Sequence, residues 1–271
     1  MSTIEVLYGL KTQPFRKGVL MPEFRYESSD LKQARGVVLR TLNETGIGLI
    51  YGEPGTGVSY SIHSAVSQIE GQQIAIVYYP VCHICPRDFL KECCRLLGAT
   101  PDGRGRQAMI SAIREKAKAM HSQGQPLLLI LDNADNLPDL VLHDMVTMIS
   151  GDYNQFNLMS LLLCGTGKLK SLLQQSDNLS LRREVSYFYR MKGLEAKEVE
   201  EYVKHKLQAA GATRSIITDD ALKQVYDLCA RGNCKEIDNL MRTALQIGSL
   251  YNREVIDVEV MRAAVSHLNN L

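Results

Sequence analysis

The stretch from Gly52 to Ser59 constrains the fold of this chain more than any other. Its sequence, Gly-Glu-Pro-Gly-Thr-Gly-Val-Ser, has the spacing G-x-x-x-x-G-K-[ST], with Val58 where the lysine is expected. In a loop of this kind, backbone N–H groups surround phosphate oxygens, the lysine reaches the β- and γ-phosphates, and the hydroxyl binds Mg²⁺. Such a loop follows a strand and precedes a helix, and the flanking sequence fits both. The pattern therefore predicts a phosphate-binding loop that has lost its positive charge.

Strands and helices alternate on both sides of this loop. Apolar runs predict strands at 46–51, 73–79, 127–132, 159–164 and 185–190, with helices at 30–43, 59–69, 86–97, 106–120, 137–149 and 169–175. Continuous apolar runs are typical of parallel strands that are buried on both faces. The alternation indicates an α/β fold, a P-loop parallel sheet with helices on both faces, over residues 31–192. Residues 1–30 are expected to be an irregular N-terminal segment.

Beyond Gly193 the sequence pattern is helical only. Apolar residues recur at helical spacing in four successive stretches, which are separated by Gly211, Gly232 and a turn at Asn252. Amphipathic helices in series bury their apolar faces against one another. Residues 193–271 are therefore predicted to be a second, small, all-helical domain.

Composition limits the classes of partner. Lys and Arg together number 31 and Asp and Glu number 30, so the formal net charge is +1, and contact with nucleic acid must use local patches. The longest apolar stretch, residues 127–131, is too short to span a bilayer, and we expect no membrane partner. The first twenty residues lack the apolar core of a signal peptide. The seven cysteines are therefore expected to be reduced thiols in a cytoplasmic protein.

A carboxylate ends the most apolar of the predicted strands. This strand is Leu-Leu-Leu-Ile-Leu followed by Asp132. A phosphate-binding loop and an aspartate at the end of a second strand are the phosphate and metal elements of a P-loop nucleotidase. Ser59 and Asp132 are the candidate Mg²⁺ ligands. The candidate nucleotide-binding residues in the loop are Gly52, Pro54, Gly55, Thr56, Gly57, Val58 and Ser59.

Six short motifs recur in the order and spacing of a known family. They are Tyr8-Gly9-Leu10 with Pro14-Phe15, Gly46-Ile47-Gly48-Leu49, Leu131-Asp132-Asn133-Ala134-Asp135-Asn136-Leu137, Leu163-Cys164-Gly165-Thr166, Leu181-Arg182-Arg183, and Gly232-Asn233-Cys234-Lys235-Glu236-Ile237-Asp238-Asn239-Leu240. With these motifs the chain resembles the AAA+ ATPases of the ExeA/GspA and TnsC/TniB type. Members of this type are found beside transposases of bacterial mobile elements and in secretion assembly. The resemblance implies ATP or ADP and Mg²⁺ as cofactors and a helical lid at 193–271.

The chain departs from this family at the catalytic positions. Members have lysine at the position of Val58, a glutamate that activates water at Asn133, and glutamine at Thr166. The resemblance assigns Asp132 and Asn133 to the catalytic site, and Arg182 or Arg183 to the arginine finger that reaches a neighbouring subunit. It assigns Thr166 and Lys235 to nucleotide contacts. Lys235 stands where the family has Gly-x-Pro-Arg, so it keeps the charge of arginine without its planar fork.

These departures predict weakened binding and lost hydrolysis. A hydrogen bond to a charged group contributes about 1.5–3 kcal/mol, so losing the lysine weakens nucleotide binding roughly ten- to a hundredfold. The loop amides and the helix N-terminus remain. A positioned base contributes about 10²–10⁴ in rate, and the amide of Asn133 cannot accept the proton. A second interpretation stays open, in which Val58 fills the lysine's place and closes the pocket.

Three functions are compatible with this pattern. The first is a regulatory AAA+ protein of a mobile element, which binds ATP weakly and assembles with itself or an active paralogue on double-stranded DNA, in contact with a transposase. The second is an active ATPase with unorthodox catalytic residues. The third is a nucleotide-free interaction protein, or pseudo-ATPase, in secretion or defence.

Two weaker features have competing interpretations. Cys82-His83-Ile84-Cys85 is either half of a zinc site or a pair of thiols in a loop. The second interpretation is favoured because zinc takes four ligands and no second C-x-x-C pair follows. By resemblance, short basic pairs lie in loops that line a DNA-filled pore; in the alternative interpretation they are solvated basic faces. These pairs are Arg104 with Arg106, Lys116 with Lys118, and Lys168 with Lys170.

Overall fold

The computed structural model describes residues 3–16, 22–69, 74–151 and 156–270. By their contacts these residues form two compact units. The sheet unit contains the described residues of 32–54 and 58–191. The helical unit contains the described residues up to Leu31, the loop tip Gly55–Gly57, and the described residues from Lys192 onward. No helix among the described residues is long and apolar enough to span a membrane.

The sheet unit is built on a parallel five-stranded sheet with the order β2-β3-β4-β1-β5. Its strands are β1 Ile47–Gly52, β2 Ala75–Pro80, β3 Leu127–Asp132, β4 Ser160–Gly165 and β5 Val185–Met191. Because all strands are parallel, their carboxyl ends meet at one edge of the sheet. The α/β fold class that the sequence predicted, a P-loop parallel sheet, is confirmed.

The described residues form twelve α-helices, numbered in chain order. They are α1 Thr3–Tyr8, α2 Ser29–Asn43, α3 Val58–Ile69, α4 Pro86–Leu97, α5 Arg106–Ser122, α6 Asp139–Ile149, α7 Gly167–Leu173, α8 Leu179–Glu184, α9 Ala196–Ala209, α10 Asp219–Leu228, α11 Cys234–Leu250 and α12 Val258–Asn269. Helices therefore follow the strands in the sheet unit, and only helices follow β5.

Alternate residues of each strand face different cores. Leu129 and Leu163 belong to the core that also contains α4, α5 and α6, whereas Ile130 and Cys164 belong to the core that contains α2 and α3. Successive side chains of a strand point to opposite faces, so the sheet is covered on both sides. The α2–α3 face is the one that concerns the site below.

Burial differs between central and edge strands. Every residue of β1, β3 and β4 is buried, as the continuous apolar runs predicted. The edge strand β2 is only half-buried, and β5 alternates between half-buried and exposed positions. The expectation that all strands are buried on both faces is therefore wrong for β2 and β5, because each has a neighbouring strand on one side only. The predicted start of β2 at Gln73 lies outside the described residues.

The helical unit has its own apolar core. Side chains of α9, α10, α11 and α12 form it, and Tyr8, Leu10, Phe15 and Phe24 from the N-terminal residues join them. The N-terminal segment is thus not irregular throughout, because α1 forms and packs on α11. An isolated helix this short is unstable in water, so its packing against the unit stabilises it.

Capping residues account for the helix starts that the sequence placed imprecisely. Helix α6 begins at Asp139 rather than at 137, because Pro138 occupies the N-cap position. Helix α7 begins at Gly167 rather than at 169, because the Thr166 hydroxyl accepts the N–H of Lys168. Helix α8 was not predicted from the sequence.

Candidate nucleotide-binding site

The carboxyl edge of the sheet brings the two predicted motifs to one side of the sheet unit. Strand β1 ends at Gly52, β3 ends at Asp132, and β4, which lies between them, ends at Gly165. Neighbouring strands lie about 4.8 Å apart, so β1 and β3 are separated by roughly 10 Å. In open α/β sheets, ligands bind outside the carboxyl ends of the strands, next to a strand that is inserted out of sequence order.

The loop backbone has a conformation that only its glycines adopt without strain. Gly55 and Gly57 have φ angles of 94° and 98°. A side chain would be strained at either position. Between them, Thr56 is buried, whereas Glu53 and Pro54 are exposed. The spacing of glycines found in the sequence therefore corresponds to a real backbone requirement at Gly55 and Gly57.

Within the helical unit, the loop tip contacts the start of α11. The backbone N–H of Lys235 donates a hydrogen bond to the Gly55 carbonyl at 3.2 Å. Asn233 caps the same helix, and its Oδ1 accepts the N–H groups of Lys235 and Glu236. A Cβ atom at Gly55 would collide with the Asn233 side chain. Lys235, which the sequence predicted as a nucleotide contact, is thus placed beside the loop.

Val58 does not point a charge at the loop but packs on the sheet. It is the first residue of α3 and is half-buried against the apolar core that contains α2 and α3. Ser59, the next residue, is exposed in the first turn of this helix. The helix therefore keeps its N-terminal N–H groups and the predicted metal-binding hydroxyl, whereas the position of the lysine has become part of the core.

Asp132 is buried at the end of β3 and is held by two hydrogen bonds. The Tyr78 hydroxyl donates to Asp132 Oδ2 at 2.7 Å, and the backbone N–H of Asn133 donates to Oδ1 at 2.9 Å. Burial, and after it the hydrogen bond to Asp132, raise the pKa of the Tyr78 phenol. Cys164, on β4, is fully buried, and burial, followed by the charge of Asp132, raises the pKa of its thiol well above the usual value.

Asn133 has an unusual backbone conformation. Its φ and ψ angles are 55° and 39°, in the left-handed helical region, and its side chain is exposed. Asparagine occupies this region more readily than most residues. The position at which the resemblance expects a catalytic glutamate is therefore shaped for a residue that tolerates positive φ.

Thr166 contacts Asp135 across two neighbouring strand ends. Asp135 accepts the backbone N–H of Thr166 at 3.1 Å and its hydroxyl at 3.3 Å. The Asp135 carboxylate is thus engaged by the residue that stands where the family has glutamine. This contact joins the turn after β3 to the start of α7.

The comparisons with known proteins decide the family of this site. The AAA domain family model matches residues 41–173, which include the loop, Asp132 and Thr166. Residues 41–173 resemble an AAA domain. The fold is that of the AAA+ P-loop proteins.

The same comparisons find similarity beyond residues 41–173. It is 25% identical to general secretion pathway protein A of Aeromonas hydrophila over 228 residues, which are 82% of this chain and 40% of that protein. The chain therefore spans less than half of this relative. Its fold resembles Cdc6p of Pyrobaculum aerophilum with a TM-score of 0.73 and 16% identity, covering 94% of this chain and 70% of that one.

Two further solved structures share the fold at a TM-score of 0.66 and 16% identity. One is the ORC2 protein of Aeropyrum pernix in ADPNP–ADP complexes, and it covers 95% of this chain and 71% of that one. The other is the ORC1 protein of the same organism in complex with DNA, and it covers 99% of this chain and 71% of that one. At this identity the likeness concerns the AAA+ fold.

The two candidate arginine fingers lie on α8. Arg182 and Arg183 are both exposed in this short helix, which directly precedes the edge strand β5. An exposed guanidinium keeps its five donors available to a partner's phosphate or carboxylate. The position suits a contact with another molecule.

The sequence interpretation required the basic pairs to lie in loops, but two of the three pairs lie in helices. Lys116 and Lys118 lie within α5, and Lys168 and Lys170 lie within α7. Arg106, at the start of α5, is paired with Asp144 of α6, and its Nε is 2.7 Å from Asp144 Oδ2. The expectation of basic loops is therefore corrected to basic helix faces.

The C-x-x-C segment of the AAA domain is a pair of exposed thiols. Cys82 and Cys85 are both free and exposed between β2 and α4. Cys85 is the N-cap of α4, and its Sγ lies 3.0 Å from Asp88 Oδ2. Within the described part of the chain, no three His, Cys, Asp or Glu side chains cluster as metal ligands.

One residue that contacts Asp132 escaped the sequence analysis. Tyr78 stands two positions before the end of β2 and pairs with Ile130, whereas Pro80 pairs with Asp132. Residues two apart on a strand share a face, so Tyr78 lies on the same face as Asp132. The strand register would have found it, but register is not visible in an unpaired sequence.

Proposed function

We propose that this chain binds ATP or ADP with Mg²⁺ at the loop between β1 and α3. The observation that carries the proposal is the conformation of Gly55 and Gly57, whose positive φ angles form a glycine-rich loop that leads into a helix N-terminus. Such a loop binds phosphate through its amides. Ser59 and Asp132 would hold the metal ion, and Thr166 would contact the nucleotide. Bound Mg²⁺ would neutralise phosphate charge.

We further propose that binding is weak and hydrolysis is slow. Val58 packs in the core and brings no charge to the phosphates, so the affinity is reduced roughly ten- to a hundredfold relative to a lysine-containing loop. Asn133 has no group that accepts a proton from water. Nucleotide would then act as a structural ligand rather than as a fuel.

The nucleotide would control assembly on DNA. We propose that Arg182 or Arg183 reaches the nucleotide of a neighbouring copy or an active paralogue. The exposed lysines of α7 would contact double-stranded DNA, and the chain would bind a transposase of a mobile element. An AAA+ protein of the same fold has been solved in complex with DNA, which supports DNA as a partner.

Secretion is the second candidate function. The relative with 25% identity is a general secretion pathway protein, which supports a role in secretion assembly as the alternative. In that case the chain would bind nucleotide without DNA, or would act as an interaction protein with a closed pocket. A third candidate, an active ATPase, predicts turnover that Asp132→Ala abolishes.

Calorimetric titration of Mg-ATP tests the nucleotide proposal. The unmodified chain is compared with the double variant Val58→Lys, Asn133→Glu, and with Val66→Lys, which adds the same charge further along α3, away from the loop. We expect weak binding in the unmodified chain and at least tenfold tighter binding in the double variant. No tighter binding in the double variant than in Val66→Lys would contradict the proposal.

Sedimentation with and without DNA distinguishes the two functions. The transposition-type function predicts that ATP increases both DNA binding and oligomer size, with no phosphate release. A variant with both Arg182 and Arg183 replaced by alanine should bind nucleotide normally and lose ATP-dependent assembly. If neither ATP nor DNA changes the oligomeric state, the DNA-scaffold proposal is abandoned in favour of the secretion-type function.

A further inference from the structure

The Tyr78 hydroxyl occupies one of the two oxygens of the candidate metal ligand. It donates to Asp132 Oδ2 at 2.7 Å, and Asp132 is only 3% exposed. A hydrogen bond to an ionised acceptor is about twice as strong as one between neutral groups. The second oxygen, Oδ1, accepts the N–H of Asn133. Both oxygens of this buried carboxylate therefore already have a donor.

The phenol is fixed in this position by packing. Tyr78 is on β2, which pairs in parallel with β3, so its ring lies on the same sheet face as Ile130 and Asp132. It is half-buried against the core of α2 and α3. Its ring centroid is 4.8 Å from that of His63, on α3. The hydroxyl is thus aimed at Asp132 by a strand on one side and a helix on the other.

Mg²⁺ and the phenol compete for the same carboxylate. Mg²⁺ demands nearly ideal octahedral geometry. In nucleotide sites one or two carboxylates hold it, either directly or through its bound waters. An ionised carboxylate has about four lone-pair positions on its two oxygens, and in Asp132 one position on each oxygen is taken. A metal ion or metal-bound water that approaches Oδ2 must displace the Tyr78 hydroxyl.

We propose that Tyr78 is a positioning residue that competes with Mg²⁺ for Asp132, so that the metal adds less to nucleotide binding than it would with a carboxylate free of the phenol. This inference rests on the proposed nucleotide binding and deepens it, because it states which form of the ligand the site prefers. Metal-free nucleotide pays no cost for displacing the phenol, whereas Mg-nucleotide does.

The neighbouring tyrosine is a matched control. Tyr79 is the next residue of β2 and faces the opposite core, where its ring lies 5.7 Å from that of Phe89. Tyr78→Phe and Tyr79→Phe make the same chemical change one residue apart. Only the first removes a donor from Asp132.

The test is the affinity for a fluorescent ATP analogue, measured in Mg²⁺ and in EDTA. The quantity compared is the affinity in Mg²⁺ divided by the affinity in EDTA. It is measured for the unmodified chain, Tyr78→Phe, Tyr79→Phe and Asp132→Asn. We expect Tyr78→Phe to raise this ratio about tenfold or more, the advantage of freeing a charged acceptor. Tyr79→Phe should leave it unchanged. The double variant Tyr78→Phe, Asp132→Asn should lose the gain.

Three results overturn the inference. An unchanged ratio in Tyr78→Phe shows that the phenol does not compete, and a lowered ratio shows that it orients Asp132 for the metal; in both cases nucleotide binding by the unmodified chain leaves the proposed function standing. If no protein binds the analogue in either condition, the proposed function falls and this inference falls with it. Should Tyr78→Phe fail to fold, Tyr78→Leu, with the same expected ratio, takes its place.

Discussion

Replacing Asn133 tests whether the backbone after β3 is shaped for asparagine. Asn133 has a φ angle of 55°, where an ordinary L-residue loses about 1–2 kcal/mol and asparagine loses less. Glycine adopts this conformation freely. The side chain is exposed, so the substituted residue changes few contacts. We expect Asn133→Gln to lower the free energy of unfolding by about 1 kcal/mol, and Asn133→Gly to stay within about 0.5 kcal/mol of the unmodified chain.

Asn133→Glu adds a charge to the same strain. Glutamate has nearly the shape of glutamine, so the difference between these two variants isolates the repulsion from the Asp132 carboxylate. Because position 133 is exposed, solvent screens this repulsion, and we expect it to add less than about 1 kcal/mol. The strain, not the charge, should dominate the cost.

The assay is urea unfolding followed by far-UV circular dichroism, since the chain has no tryptophan. Equal slopes against urea in all variants would show that stability, rather than the extent of unfolding, has changed. A glutamine variant as stable as the unmodified chain, or a glycine variant as unstable as the glutamine one, would refute the argument from backbone conformation. The outcome also decides how much of any defect in the Val58→Lys, Asn133→Glu protein is strain.

Three further predictions concern stability and reactivity. Tyr8 is buried with no hydrogen-bond partner for its hydroxyl among the described residues, and burial raises its pKa to about 12. Stability that is present below pH 10 is therefore lost as the pH rises through 12. Tyr8→Phe should keep or raise the free energy of unfolding at about pH 7 and should make that free energy fall less at alkaline pH. Arg106→Met should lower the free energy of unfolding, measured in urea, by about 1–3 kcal/mol, because it leaves the buried Asp144 unpaired. Adding Asp144→Leu should restore part of this free energy. A double variant no more stable than Arg106→Met would contradict the prediction. In native protein at pH 8, only Cys82 and Cys85 should react quickly with a thiol reagent, as counted by mass spectrometry, and rapid labelling of the buried cysteines would contradict the core.

The sheet could be predicted from the sequence because its central strands are continuous apolar runs. Strands β1, β3 and β4 are buried throughout, and the runs that predicted them leave no other structure for such segments. Helices α1 and α8 were missed because helices of their length depend on packing rather than on their own sequence. The edge strand β5 was found, but its exposed alternate positions were not.

The candidate site could be predicted only where one segment carries it. The loop from Gly52 to Ser59 can be recognised from the spacing of its glycines and serine within a single stretch of sequence. The Tyr78–Asp132 and Asp135–Thr166 contacts join residues from different strands, and strand register decides them. The positive φ of Asn133 likewise depends on the turn that follows β3, which residue type alone does not specify.

The most direct test of the central claim measures ATP binding and phosphate release in one sample of the unmodified chain with Mg²⁺. The account predicts saturable binding to one site per chain, with phosphate release no faster than in a sample without protein. Rapid release that requires Mg²⁺ and disappears in Asp132→Ala would contradict the loss of hydrolysis. An absence of saturable binding would contradict the retained phosphate loop.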